Sequence, residues 1–136
     1  MLLDIHSAVA ILVGHIANSR NGAALVGSTV INMGDYMGGT FILNTGTYTG
    51  SGALAAKLQY SSSATFASDI VDDGGTTGNT LPVASATAST AYRFDIKMPE
   101  DATRPYYRLA CTDSVAAVVY SSEFIGRAKV TPVAYS

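Results

Sequence analysis

Apolar and polar positions alternate in short bursts from about residue 28 onward, and each burst is closed by a Gly, Asn, Asp or Ser cluster. That is the pattern of an antiparallel β-sandwich or barrel. Ser28–Met33 reads as a strand ended by the turn Gly34-Asp35, and Thr40–Asn44 places Phe41 and Leu43 on one face. In Ala53–Tyr60 the period-2 rule sets Leu54, Ala56, Leu58 and Tyr60 on one side and Lys57 and Gln59 on the other. Thr65–Val71 is a weaker strand, and the run Asp72–Thr80 (DDGGTTGNT) reads as an exposed loop. Tyr92, Phe94 and Ile96 alternate with Arg93, Asp95 and Lys97 in the cleanest half-buried strand of the chain, interrupted after it by Met98-Pro99. Arg104–Thr112 and Val115–Phe124 follow, and Asp113-Ser114 between them allows a hairpin. The Ser/Thr/Ala-rich stretch Val83–Ala91 reads as a loop or exposed edge.

The two ends fit this pattern less well. Leu2, Ile5, Val9, Leu12 and Ile16 recur at helical spacing, whereas Ile5, Val9, Ile11 and Val13 suit a strand, and consistency with the rest of the chain favours a strand or extended arm. The expected organisation is an amino-terminal arm or first strand over 1–27, a sandwich body over 28–126, and an extended edge or arm over 127–136 that carries Pro132. Asp4 and His6 stand where a signal peptide would carry basic residues, so the amino segment reads as mature protein.

Composition narrows the function. Charged residues make 13% of the 136 and tryptophan is absent, while 48% are hydrophobic, which excludes a chain disordered by charge and disfavours a coiled coil. The net charge is −2 and the basic residues are scattered, so no phosphate-neutralising stripe for nucleic acid is formed. The longest wholly apolar run, Ala8–Val13, is far short of the roughly 20 residues that a membrane helix needs. One cysteine, Cys111, cannot form an internal disulfide and reads as a small buried hydrophobe.

Catalytic constellations are thin. His6 and His15 have no third ligand at metal-site spacing, and each reads as a surface or packed histidine. Asp69, Asp72 and Asp73 lack the spaced oxygens and closing Glu of a calcium loop and read as a turn. Gly38-Gly39 and Gly74-Gly75 have no following lysine and mark turns rather than a phosphate cradle. The expectation is a protein without catalytic residues, metal or cofactor. Eight tyrosines without tryptophan suit sheets with a protein-contacting face better than a sugar platform.

Several stretches then stand together: Ser28–Asn44 (STVINMGDYMGGTFILN), Thr45–Gly50 (TGTYTG), Lys57–Asp69 (KLQYSSSATFASD) and Arg104–Ala110 (RPYYRLA). In order and spacing this resembles a family of small tailed-bacteriophage virion proteins of the capsid decoration, or cement, type. Where relatives often carry an acidic residue after the KLQ strand, this chain has Tyr60, and neither the segment up to Gly27 nor the tail beyond Phe124 shares the pattern. The resemblance implies a jelly-roll-like sandwich that is made in the host cytoplasm and binds the exterior of the capsid. It implies the phage major capsid protein as partner, while charge and the short apolar runs set the expectation of no nucleic acid and no membrane. A homodimer is expected from the tyrosine-rich strands and low charge. Interface candidates are Leu2, Ile5, Val9, Leu12, Tyr106, Tyr107, Tyr120, Val130 and Tyr135. The competing reading is a carbohydrate- or receptor-binding sandwich on a virion or fibre.

Overall fold

The computed structural model describes residues 9–20, 25–74, 80, 82–97, 103–114 and 117–129, with only the backbone of 9, 10 and 17–20. Nine strands are found among them: β1 (Val9–Arg20), β2 (Leu25–Gly27), β3 (Ile31–Asn32), β4 (Tyr36–Tyr48), β5 (Leu54–Ser61), β6 (Val71–Asp72), β7 (Ala91–Ile96), β8 (Tyr106–Asp113) and β9 (Val118–Ala128). They form two antiparallel sheets, one in the order β1-β9-β4-β7 and the other in the order β2-β8-β5-β6, with β3 prolonging β2 along β8. The pairings nest: β1 with β9, β2 with β8, β4 with β7, β5 with β6. One long antiparallel ribbon has been rolled up, which is the connectivity of a jelly roll and the all-β sandwich the pattern predicts.

The core lies between the sheets. One inner row runs Leu12, Phe124, Phe41, Phe94 across the first sheet, and the second sheet answers with Leu54, Ala56, Leu58, Tyr107, Leu109 and Cys111. Cys111 is fully buried, as its reading as a small hydrophobe required. Gly39 and Gly126 stand directly opposite each other, and a Cβ on either would collide with the Phe124 ring. The ring fills the space that two absent side chains leave, an aromatic side chain covering glycines across a strand pair.

The structure corrects the sequence reading at several points. The favoured strand reading of the amino segment holds over Val9–Arg20, with residues 1–8 outside the described residues, and the corrections begin beyond it. Ser28–Met33 is a strand only at Ile31–Asn32, because Ser28 bonds β8 with its own side chain: Leu109 N donates to Ser28 Oγ at 2.9 Å and Ser28 N donates to Leu109 O at 2.8 Å. Met33–Asp35 then closes a 3₁₀ turn capped by Asn32, whose Oδ1 accepts from Gly34 N.

The expected strand Thr65–Val71 is a loop, since Phe66 and Asp69 have φ of 54° and 57°, a left-handed backbone that a strand excludes. Only Val71–Asp72 pairs, and Asp73 beyond it is buried rather than exposed. Val83–Ala91 is the loop of the two readings rather than an exposed edge: Val83 exchanges both backbone bonds with Ala56, Ala86 N donates to Leu54 O, and Ala86 is buried, so the segment covers the free edge of β5.

Most consequentially, β8 and β9 do not form a hairpin. They lie in different sheets, because both edges of β8 are taken, by β5 on one side and by β2 and β3 on the other.

Candidate interaction surface

Residues opposite each other across strands share a face, so the register of the first sheet gives its outer surface row by row. One row reads Ile11, Ile125, Thr40, Asp95, and the next reads Val13, Glu123, Ile42, Arg93. The β7 end is charged, with Arg93 and Asp95 paired at 3.0 Å, whereas the β1 end is apolar. Ile11 is 66% exposed, Val13 62% and Ile16 76%, with Leu12 at 39% from the other side of the strand. Among the described residues the exposed large aliphatic side chains are concentrated on this one strand, which is also the edge of its sheet. Long apolar edges are what soluble β proteins usually blunt with charge or proline, and β1 has neither between Val9 and Ser19.

β1 is held firmly despite its exposure. Its pairing with β9 shifts register between Val13 and His15, and the shift turns His15 inward, where it is buried. The His15 amide donates to Ser122 Oγ at 2.8 Å, Nδ1 lies 2.7 Å from the same oxygen, and Nε2 lies 3.0 Å from Val26 O on the opposite sheet. A carbonyl can only accept, so the network assigns the proton to Nε2 and makes Nδ1 the acceptor from Ser122. Thr29 N adds a bond to Gly14 O at 3.0 Å. These contacts clasp the two sheets together beside the exposed strand. They give His15 a structural role as a packed histidine; His6 lies outside the described residues.

The outer face of the second sheet is polar and internally matched. Asp72 accepts from Lys57 Nζ and Gln59 Nε2, both at 2.7 Å, and Gln59 Oε1 accepts from Arg108 Nε at 3.0 Å. The Arg108 guanidinium lies 4.2 Å over the Phe66 ring, and burial lowers its proton affinity. Arg104 grips Asp69 with two nitrogens at 2.8 and 2.9 Å. Asp69 and Asp72 thus answer to separate partners, and among the described residues no group of three His, Cys, Asp or Glu is placed to hold a metal ion. A shallow hollow of about 160 Å³ on this face is lined mainly by Ala55, Ala84, Ala110, Val83 and Pro82, with Lys57 its one charged side chain.

Asp72 supplies a pH prediction. Hydrogen bonds from Lys57 and then Gln59 hold its carboxyl below the usual carboxylate range. A depressed folded-state value stabilises the protein above the unfolded carboxylate pKa of about 4, and that share is lost as pH falls through the folded value. Both partners are partly exposed, so the expected share is only about 0.2–1 kcal/mol. Urea midpoints of wild type and Asp72→Asn should differ at pH 7 and converge toward pH 2; an undiminished difference at low pH would contradict the assignment.

No protein-family model matches the chain, and no curated protein does. Among solved structures, a chain in the structure of infectious bursal disease virus, Gx strain, aligns with a TM-score of 0.41 and 12% identity. The alignment covers 86% of this chain and 31% of that one, so this chain spans about a third of its length. It is a weak likeness of overall shape to a viral protein.

Of the residues expected at an interface, Leu12 is exposed on β1, Val9 stands in the same strand opposite Arg127, and Tyr106 is half-buried. Tyr107 and Tyr120 are corrections: both are buried in the core, 2% and 1% exposed, where Tyr107 stacks on Tyr60 and Tyr120 meets the edge of His15. Leu2, Ile5, Val130 and Tyr135 lie outside the described residues. Ile11, Val13 and Ile16 are what the candidate set lacked. Period-2 alternation through Val9, Ile11 and Val13 carried the signal, but a strand pattern alone does not say which of its faces finds a second sheet.

Proposed function

We propose that this chain is a non-enzymatic structural virion protein that decorates the exterior of an icosahedral phage capsid and cements it by bridging neighbouring capsomers of the major capsid protein. The observation that carries the reading is the exposed apolar strand β1, clasped to both sheets by His15 and Thr29 yet offering Ile11, Val13 and Ile16 to a partner. A surface of that kind marks a protein contact. The ordered motifs from Ser28 to Ala110 add support through their resemblance to decoration proteins. The jelly roll itself serves shells and lectins alike and decides nothing between them. A sugar-binding alternative would call for open aromatic platforms, whereas all seven described tyrosines are buried or half-buried.

Each contact of one small subunit is weak. A subunit engaging two capsomers gains by effective concentration, a factor of about 10²–10⁴ for linked sites. The test is co-sedimentation with cognate phage shells stripped of decoration. Saturation at a fixed copy number with raised heat resistance of the shell is expected, and Ile16→Lys should weaken binding about tenfold or more while the free protein keeps its fold. Failure of the wild-type chain to bind a demonstrably cognate shell would overturn the proposal.

A further inference from the structure

We infer that β1 pairs edge to edge with β1 of a second copy, antiparallel about a two-fold axis at Ile11, joining two four-stranded sheets into one of eight strands. The side of β1 away from β9 is occupied at Gly14 and His15, by Thr29 and Val26, and among the described residues no strand pairs with it over Val9–Val13. That stretch reads Val-Ala-Ile-Leu-Val, which is nearly the same in both directions. Antiparallel pairing about Ile11 therefore sets Val9 opposite Val13, Ile11 opposite Ile11, and Ala10 opposite Leu12, a small residue against a large one. β-branched cross-strand pairs of this kind stabilise antiparallel ladders.

The neighbouring strands agree. Each sheet contributes Ile125 beside Ile11, so the central row becomes four isoleucines long. Over the four strands nearest the axis, the rows on either side run from Glu123, beside Val13 in one copy, to Arg127, opposite Val9 in the other, so an acid of one copy faces a base of the next and no like charges meet across the seam. Between Val9 and Ser19 the strand holds no charge that would repel its own copy. A five-residue edge buries less than the roughly 800 Å² per partner of a standard interface, which makes the dimer a weak one, populated at high concentration or on a surface. The inference stands on the strand alone and does not rest on the shell-binding proposal.

Cysteine cross-linking tests it. Ile11→Cys would bring two thiols face to face, since opposite residues of an antiparallel pair have Cα atoms about 4.5–5.5 Å apart, inside the range a disulfide spans. Ile16→Cys is the control: it is more exposed, yet lies five residues from the axis and roughly 30 Å from its mate in the dimer. With the protein at about 1 mM under mild oxidation, Ile11→Cys should form covalent dimer at least about tenfold faster than Ile16→Cys. The wild type, whose Cys111 is buried, should form none. Ile11→Lys should abolish the dimer seen by sedimentation equilibrium. Equal rates for the two cysteine variants, or a wild type monomeric throughout at 1 mM, would overturn the two-fold pairing and leave the strand to a segment of its own chain or to the shell. Shell binding by Ile11→Lys, measured separately, would show whether that proposal stands without this one.

Discussion

Phe124→Ala should cost this protein about 3–5 kcal/mol, a large part of the 5–15 kcal/mol that holds a typical domain folded. Phe124 is fully buried on β9, the strand that pairs with both β1 and β4. Its ring lies 5.1 Å from that of Phe41 and 5.2 Å, edge-on, from that of Tyr36, and it covers Gly39 and Gly126. Two glycines beneath it have no side chains with which to refill the space, so the cavity would persist rather than collapse, and the persisting cavity sets the cost at the upper end. The check is a urea titration followed by tyrosine fluorescence and by circular dichroism, with a fall in melting temperature of roughly 10–20 °C expected. A loss below about 1 kcal/mol would mean that the ring is not the keystone of this region.

The converse substitution should fail for the opposite reason. Gly126→Ala adds one methyl to the site that the Phe124 and Tyr36 rings already fill, and overpacking of this kind costs about 1–3 kcal/mol. Phe124 has no room to swing aside, held as it is against Phe41. The two effects therefore should not add. Phe124→Leu together with Gly126→Ala should be more stable than the sum of the single changes implies, by about 1 kcal/mol or more in a double-mutant cycle. Strict additivity would show that the alanine is accommodated elsewhere. Gly39→Ala should behave in the same way, from the facing strand.

These effects also show what local pattern can and cannot carry. Alternation in Ala53–Leu58 and Tyr92–Lys97 was legible because one face of each strand meets the opposite sheet and burial then follows period two, a rule that breaks at Gln59, which is buried among Asp72 and Arg108 while Tyr60 is half-buried. The loop at Thr65–Ile70 was not legible, because its departure from a strand depends on Phe66 tucking beneath Arg108, a residue 42 positions away in sequence. The supposed hairpin at Asp113-Ser114 failed for a related reason. Neighbours in sequence pair only if their edges are free, and both edges of β8 were filled by strands made much earlier. Tyr107 and Tyr120 looked like interface residues by type, yet their positions in the inner rows send both rings into the core. For the candidate surface, the apolar character of β1 was visible but its exposure was not, since exposure depends on the strand being the last in its sheet.

The pairing of β1 with β9 has a consequence for how the protein is made. On a ribosome the chain emerges from its amino end at about 5–20 residues per second. Among the described strands β1 emerges before all the others and its partner β9 after them, and without β9 neither β1 nor the centre of its sheet can be completed. Until β9 has emerged, an apolar strand therefore waits unpaired, and a nascent chain stopped before Val118 should be captured by chaperones or degraded rather than accumulate as a partly folded subunit.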